Sequence, residues 1–492
     1  MTIPDNTPIL VGVGAIQQKE NDLDKTKEPI ALMIDAVNAA LSDTQRAEIA
    51  ADIELITVPK GMWSYTDPAA LIAEAIKAKN CTSEFADFGI LQQSNLAHAC
   101  QRISSGELEV AMVVGGEAKY RQLQGHKIGI EVSETPQTDA VPDRFLKPQA
   151  ELWSEIESNT GLGMPVGYYA LIESAICNAR GLSMDEHRDN IAKQYARLSE
   201  IGAANPDGWA DSATDAETIR NGVGKNKMLA FPYTKLHNSQ WNVDQACALL
   251  FCSVAKARAL GIPESQWIFP LASTESNQII NVSQRPELGR SQAAKLAGQR
   301  ALDLADLSID DVDFIELYSC FPAAINLVCD ALNIPADRDV SVTGAMPFGG
   351  GPLNNFILQA TVKLVKKLRE KPGSIAFSSC VSGMFTKQGF GIWSSAPYHK
   401  AFAFDDVTEE LSATEKAVEL VAPTKGDIDI VAVTVLYEGE NAKRLVAVCQ
   451  YPDGKRTVSY SEEAAAIDKA LASNLVGARA TIDDSGLIDL AG

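Results

Sequence analysis

Two spacings of hydrophobic and polar residues alternate along the first 118 residues of the chain. Short apolar runs predict strands buried on both faces, at residues 9–13, 53–58 and 110–114. Apolar residues spaced as on one helix face follow Pro29 and return around residues 69–79 and 90–103. The resulting order of strand, helix, strand, helix, loop, helix and strand is typical of a layered α/β fold.

The stretch from Ser83 to Glu117 carries the first chemical signal. A loop with Gly89 leads into a helix that Ser105 and Gly106 close, because glycine accepts the left-handed conformation of a helix C terminus. Unpaired backbone N–H groups and the positive end of the helix dipole gather where this helix begins. We therefore expect the loop to hold an acyl carbonyl or a developing oxyanion.

The pattern changes between residues 119 and 235, which are polar and rich in predicted helices. Helices are expected over residues 164–180 and 183–202, the second with Ser183 as N-cap and Glu186 three residues later. An insertion of this length between strands is usually functional rather than connective.

A second α/β unit begins near residue 268. It contains a predicted strand at 312–317, a glycine-rich loop at 340–352, a strand at 374–379 and a glycine-containing turn at 380–387. Each unit has, near its end, a helix and then a hydrophobic strand with glycine after it, which indicates a duplicated half-domain.

The last 80 or so residues have a different pattern. Alternating hydrophobic and polar residues predict short strands at 427–437, 443–451 and 456–460, joined by polar turns. A helix at 461–472 and a strand at 478–482 follow. This pattern favours a small β-barrel-like module.

Length and composition limit the number of domains and the classes of partner that the chain can have. At 492 residues the chain exceeds a single typical core, so two or three domains are expected. The formal net charge of −21 argues against nucleic acid as the main partner. Nine cysteines without a CxxC pair, and an N terminus without a signal-peptide pattern, predict a cytoplasmic protein with free thiols. No apolar run has the length of a membrane span, and no spaced ligand set predicts a metal site.

The order of elements, together with the segments SGELEVAMVVGGEA, FPYTKLHNSQWNVDQACALL, ELYSCF and GAMPFGGG, resembles the thiolase superfamily. The nearest group is the acetyl-CoA-acetyltransferase-like proteins near the sterol-carrier-protein thiolases. This resemblance implies a duplicated thiolase fold, with two βαβαβαββ halves in α-β-α-β-α layers. It assigns residues 1–118 and 236–265 to the first half, 119–235 to an inserted loop domain, 266–400 to the second half and 410–492 to an extra C-terminal β-rich domain.

Four catalytic positions follow from the resemblance. The nucleophilic cysteine of active members falls on Gly89, the polar residue of an HDCF-type motif on Tyr318, the histidine of a GHP motif on Met346, and the second cysteine on Cys380. A glycine has no nucleophile and a methionine cannot take a proton. We therefore do not expect chemistry through a covalent acyl-cysteine.

Three side chains are the catalytic candidates, and each has a second interpretation. Cys380 is either a proton-transferring thiol or a buried free cysteine. Tyr318 either donates to a thioester carbonyl or fills the space of a lost histidine. His237 is either a base or coenzyme A contact, or a structural histidine.

The resemblance also implies coenzyme A as substrate or ligand. Candidate residues for binding it are Lys235, Ser239, Gly349, Gly350, Gly383, Arg121 and Lys127, with Lys225, Lys227 and Arg144 as further phosphate candidates. Thiolases pair through a sheet edge of the core, which implies a homodimer.

Three functions are consistent with the sequence. The first is a thiolase-like acyltransferase, or an enzyme of related acyl-CoA chemistry, that works without the usual nucleophile. The second is a non-catalytic coenzyme A or acyl-CoA binding protein that recruits a partner through its C-terminal domain. The third is an oligomeric scaffold without a small ligand.

Overall fold

The computed structural model describes residues 3–149 and 154–490. The first half begins with alternating strands and helices. In chain order these are β1 (Pro8–Gln18), α1 (Pro29–Asp43), β2 (Leu55–Pro59), α2 (Pro68–Ile76), β3 (Thr82–Ala86), α3 (Gln92–Ser104) and β4 (Val110–Ala118). Helix α1 begins with proline in its first turn, and its buried stripe packs on β1, β4 and the later strand at residues 244–253.

The inserted segment contributes mostly helices before the chain returns to the first sheet. Its elements are α4 (Lys119–Lys127), β5 (Arg144–Leu146), α5 (Glu155–Ser158), α6 (Pro165–Ala179), α7 (Met184–Ala204), α8 (Ala216–Arg220), β6 (Met228–Ala230) and β7 (Tyr233–Thr234). The capping box predicted at Ser183 and Glu186 starts α7. Strand β8 (Asp244–Ser253) and helix α9 (Val254–Leu260) complete the first half.

The second half repeats this plan, and a separate tail follows. The second half comprises β9 (Phe269–Ser276), α10 (Gln292–Leu304), β10 (Phe314–Glu316), α11 (Pro322–Leu332), α12 (Ala345–Gly349), α13 (Phe356–Glu370), β11 (Ile375–Ser382), β12 (Lys387–Ser394), β13 (Ala403–Asp406) and α14 (Thr408–Thr414). The tail comprises β14 (Gly426–Glu438), β15 (Asn441–Gln450), β16 (Arg456–Ser461), α15 (Ala464–Ala472), β17 (Arg479–Ile482) and β18 (Ile488–Asp489).

The two halves share the order of four strands. The first sheet runs β1-β8-β4-β2-β3-β5 and the second runs β10-β11-β12-β9-β13. In each half a parallel pair, β2 with β4 or β10 with β11, is followed by two antiparallel partners. The duplication predicted from the sequence is therefore confirmed in the sheets.

Helices α3 and α13 lie between the two sheets. Helix α3 packs on β4 and β8 of the first sheet and on β12 and β9 of the second, while α13 contacts β8 and β11. Helix α1 covers the outer face of the first sheet, and α10 covers that of the second. These five layers confirm the fold class that the resemblance implied.

The C-terminal sheet has the order β16-β15-β14-β17-β18 and also receives strands from the inserted segment. Strand β6 pairs with β14 through Ala230 and Leu436. The sheet curls, so that Ser459 Oγ on β16 donates to the carbonyl of Gly486, beside β18. Because insertion and tail share this sheet, the domain boundaries drawn from the sequence stay a prediction.

Some local predictions are wrong. The loop expected before α3 contains β3, and β1 continues past Gly14 to Gln18. The turn predicted at residues 380–387 is shorter, because β11 reaches Ser382 and β12 begins at Lys387. Three successive residues with φ of 62°, 48° and 72° close that hairpin, Gly383, Met384 and Phe385. Among the described residues, no helix has both the length and the apolar character that crossing a membrane requires.

Candidate functional site

The position expected for the nucleophile carries no side chain. Gly89 is buried in the loop before α3 and has a φ of +94°, a conformation that favours glycine. Its carbonyl oxygen accepts a hydrogen bond of 2.6 Å from Nζ of Lys387. The start of α3 therefore meets the β11–β12 hairpin of the second sheet at this glycine.

Cys380 lies on β11 next to the first turn of α3 and is fully buried. Burial raises the pKa of its thiol to about 12, although the backbone N–H groups of Gln92 and Gln93 lower that pKa by hydrogen bonding to the sulfur. The thiol is therefore protonated at neutral pH. In this state it can donate a proton but cannot attack a thioester.

Tyr318 reaches the same end of α3. Its backbone N–H donates to Ser379 Oγ at 2.8 Å, its ring lies edge-on to Phe356 at 5.7 Å, and its side chain hydrogen-bonds to that of Gln92. Burial raises the pKa of the hydroxyl well above its ordinary value, so this group is a neutral donor. The structure thus brings Tyr318, Cys380 and Gly89 together around the start of α3.

Met346 is buried on α12, and its backbone fixes the surrounding loops. Its N–H donates to Ser319 Oγ at 3.0 Å, and its carbonyl accepts from the N–H of Gln240 at 3.1 Å. Ala345, before it, has a φ of +65°, which is strained for a residue with a Cβ atom. The loop keeps a defined conformation where the resemblance expects a histidine.

His237 is fully buried just after the inserted segment. Its Nδ1 accepts from the backbone N–H of Thr234 at 3.1 Å, and its ring lies 5.3 Å from that of Tyr195. Burial lowers its pKa to about 3, so the imidazole is neutral over the physiological range. These contacts favour the structural interpretation of this histidine over the catalytic one.

The glycine-rich wall predicted to face coenzyme A packs against the protein itself. A Cβ on Gly350 would lie 2.3 Å from Oε1 of Gln245, and one on Gly349 would lie 2.6 Å from the carbonyl of Thr343. Ser239 is half-buried, and its N–H donates to the carbonyl of Cys320 at 3.1 Å. Among the four coenzyme A candidates Ser239, Gly349, Gly350 and Gly383, Ser239 and Gly383 are the two that are partly exposed to solvent.

The basic residues proposed for the phosphates have different surroundings. Arg121 donates to the carbonyl of Ser133 and to Thr26 Oγ1, and Arg144 forms an ion pair with Glu84, so both are engaged within the chain. Lys127 and Lys235 are exposed, as are the neighbouring Lys225 and Lys227. The lysines therefore remain the better phosphate candidates.

Sequence reasoning missed Lys387 and Glu275, which are buried beside Cys380. No local signal reveals them, because Lys387, Glu275 and Cys380 lie on three different strands, and the turn predicted at 380–387 covered Lys387. Within residues 3–149 and 154–490, no cluster of three or more His, Cys, Asp or Glu side chains is arranged to hold a metal ion.

Comparison with curated proteins gives a partial match. No family model matches the chain. An acetyl-CoA acetyltransferase from Methanocaldococcus jannaschii is 33% identical over 98 residues, which make up 20% of this chain and 24% of that protein. The chain thus aligns with about a quarter of this relative's length.

Solved structures match over the whole chain. A monomeric SCP2-thiolase-like protein type 1 from Mycobacterium smegmatis superimposes with a TM-score of 0.83 and 23% identity, covering 98% of each chain. An acetyl-CoA acetyltransferase from Syntrophomonas wolfei superimposes with a TM-score of 0.55 and 18% identity, covering 80% of this chain and 100% of that one. The chain therefore has the thiolase fold in its SCP2-thiolase-like form, and the resemblance drawn from the sequence is confirmed.

Proposed function

We propose that the protein binds an acyl-CoA thioester between its two sheets and acts on it without forming an acyl-cysteine. The observation that carries this proposal is the arrangement of Gly89, Cys380 and the first turn of α3. The site keeps backbone N–H donors and a protonated thiol but has no nucleophile at the start of the helix. The names of the two acetyltransferases support acyl-CoA as the ligand class.

In this proposal the donors at the start of α3 polarise the thioester. A carbonyl oxygen that takes the place of the Cys380 sulfur as acceptor receives hydrogen bonds from the N–H groups of Gln92 and Gln93, where the helix dipole favours negative charge. The Cys380 thiol and the Tyr318 hydroxyl are neutral donors at the same place. The acyl group then stays on coenzyme A throughout, because no side chain at Gly89 can receive it.

A panel of acyl-CoAs tests this proposal. We expect calorimetry to detect binding of coenzyme A and acetyl-CoA, and intact-protein mass spectrometry to detect no acylated protein after incubation. Cys380→Ser should bind coenzyme A as the wild type does and lower any turnover of the thioester. A stable acyl adduct on the wild type that disappears in Cys380→Ser would contradict the proposal.

A second function, acyl-CoA binding without turnover, is favoured by the closed glycine wall. Gly349 and Gly350 pack on Thr343 and Gln245 and leave no space at those positions for a ligand group. This function predicts binding of coenzyme A with unchanged thioester in both the wild type and Cys380→Ser. The C-terminal sheet would then be the part that recruits a partner.

We propose a monomer in place of the homodimer that the resemblance implied. The outer edge of β3 is already paired with β5, through Glu84 opposite Arg144 and Phe85 opposite Phe145. The two phenylalanine rings stack at 5.5 Å, and the Arg144–Glu84 ion pair spans 3.2 Å. A short edge strand of the same chain blocks pairing with a second copy.

Light scattering after size-exclusion chromatography should therefore give a mass near 52.8 kDa. The variant Arg144→Glu with Phe145→Asp loosens β5, and we expect it to raise the dimer fraction or aggregation. A wild-type mass of twice the subunit would show that another surface pairs the copies.

All nine cysteines are free thiols, and six of them are among the buried core residues. Free thiols persist in reducing compartments. This supports our proposal of a cytoplasmic location, which fractionation of the source cells tests directly.

A further inference from the structure

One face of the second sheet brings a thiol, an amine and a carboxylate around a single glycine. Cys380 on β11 lies directly opposite Gly389 on β12, and Gly389 lies opposite Glu275 on β9. Lys387 is two residues before Gly389, so its side chain projects from the same face. This face meets α3, since a Cβ on Gly389 would lie 3.3 Å from that of Gln93.

Lys387 has few hydrogen-bond partners for a buried amine. It is 2% exposed, and its Nζ donates to the carbonyl of Gly89 at 2.6 Å. Within residues 3–149 and 154–490 no carboxylate lies within ion-pair distance of it. An ammonium group has three donors, so this contact leaves the amine with unused capacity at the centre of the site.

The groups around Lys387 come from several elements. Glu275 faces it from β9 and Asp406 from β13, and both favour its charged form, while the neutral thiol of Cys380 faces it from β11. Burial is the larger influence and lowers the pKa of Lys387 below its usual value of 10.5. Helix α3 contacts this face through the uncharged side chains of Gln93 and Ser94, and it adds the positive end of its dipole.

Glu275 is held in place by other partners. Ser94 Oγ donates to one of its carboxylate oxygens, and Asn277 Nδ2 donates to the other at 2.9 Å. It therefore contributes negative potential near Lys387 without forming a direct ion pair. An amine in such surroundings can alternate between its charged and neutral forms.

Solvent reaches this end of the sheet face. Ser382, directly across from Lys387, and the adjacent Gly383 are both half-buried. The hairpin end of this face, at Ser382 and Gly383, is therefore the side from which a ligand would approach the amine.

We propose that Lys387 is the general base of this site and removes a proton from the carbon next to the thioester carbonyl. This inference rests on the proposed binding of acyl-CoA. The proton passes from that carbon to Nζ of Lys387, and the C–H electron pair forms the carbon–carbon double bond of an enolate. The carbonyl pair moves onto oxygen, which accepts from the N–H groups of Gln92 and Gln93. Return of a proton from Lys387 restores the thioester, so no further reactant is needed.

Exchange of these protons for deuterium tests the proposal directly. Wild-type protein in deuterated buffer should incorporate deuterium next to the carbonyl of acetyl-CoA and butyryl-CoA, as followed by mass spectrometry. Lys387→Met should lower the exchange rate by a factor on the order of 100 or more, because general base catalysis contributes about 10²–10⁴. Lys387→Arg should lose exchange equally, since a guanidinium keeps the charge but does not give up its proton.

Control measurements separate this proposal from coenzyme A binding. Lys371→Met, at an exposed lysine paired with Asp313, should exchange at the wild-type rate. The exchange rate of the wild type should rise with pH and level off below pH 10.5, as the amine of Lys387 loses its proton. This measurement uses the wild-type protein, so it does not depend on whether a variant folds. Exchange by Lys387→Arg at the wild-type rate would overturn the role of Lys387, as would coenzyme A binding without exchange in the wild type. Failure to bind coenzyme A at all would instead overturn the proposed function.

Discussion

Gly344→Ala is expected to destabilise the protein by about 2–4 kcal/mol or more, from backbone strain of roughly 1 kcal/mol and overpacking of roughly 1–3 kcal/mol or more. Gly344 has a φ of +90°, and a Cβ there would lie 2.1 Å from Cα and 2.2 Å from N of Gly202. Both atoms belong to the backbone of α7, which cannot yield as a flexible side chain does. The expected result is a large fall in Tm, measured by calorimetry.

The matched control is Gly106→Ala. Gly106 also has a left-handed conformation, with φ of +78°, but a Cβ there would have no atom within 4 Å. The variant Gly106→Ala therefore measures backbone strain without a steric clash, and we expect it to lose about 1 kcal/mol of folding stability. Equal losses in the two variants would show that α7 moves away from Gly344 at little cost.

Glu117→Gln is expected to stabilise the protein increasingly as pH rises. Glu117 is 2% exposed at the end of β4, and burial raises the pKa of its carboxyl to about 8, above the ordinary value of 4.5. Below pH 4.5 the group is protonated in both the folded and the unfolded chain. Between 4.5 and 8 the unfolded chain loses its proton while the folded chain holds it, so wild-type stability falls over that window.

Glutamine does not titrate, and it keeps an oxygen that accepts from the N–H of Met62, as Glu117 Oε1 does at 2.9 Å. The stability advantage of the variant should be near zero at pH 4.5 and reach on the order of 4 kcal/mol at pH 8. Urea unfolding at several pH values measures it.

Glu107→Gln is the control for this titration. Its carboxyl is exposed, and the pKa of that group is lowered by Arg102. Its small effect should have the opposite sign, with the variant losing stability above pH 4.5. A pH-independent difference for Glu117→Gln would show that this carboxylate ionises in the folded protein.

Much of the fold follows from local sequence patterns. The end of α3 at Gly106, the start of α1 at Pro29 and the capping box of α7 all lie where short-range chemistry predicts them. Each depends on residues within one helical turn, so one sequence suffices to predict them.

Strand β3 was missed because its signal is not local. Ser83 and Glu84 are polar yet buried, because Ser83 Oγ donates to Asp67 and Glu84 accepts from Thr57 Oγ1 on β2. These partners lie 16 and 27 residues away along the chain. Polar residues at such positions predict a loop until their partners are known.

The candidate site likewise has parts that the local sequence reveals and parts that depend on how distant elements pack. Position Gly89 could be found by counting from the end of α3, and its missing side chain could be read directly from the sequence. Lys387 could not be found, because its proximity to Gly89 depends on how two sheets pack against one helix. The burial of His237, which favours its structural interpretation, is likewise not revealed by anything local in the sequence.

Because β6 pairs with β14, this part of the inserted segment cannot complete its hydrogen bonds until the tail has left the ribosome. Ala230 emerges about two hundred residues before its partner Leu436. At roughly 5–20 residues per second, that interval lasts on the order of tens of seconds. During it the N–H of Phe231 lacks its native acceptor, the carbonyl of Val435. The middle of the polypeptide therefore reaches its final state only after the tail has been synthesised, and a chain truncated before the tail keeps an unfinished interior.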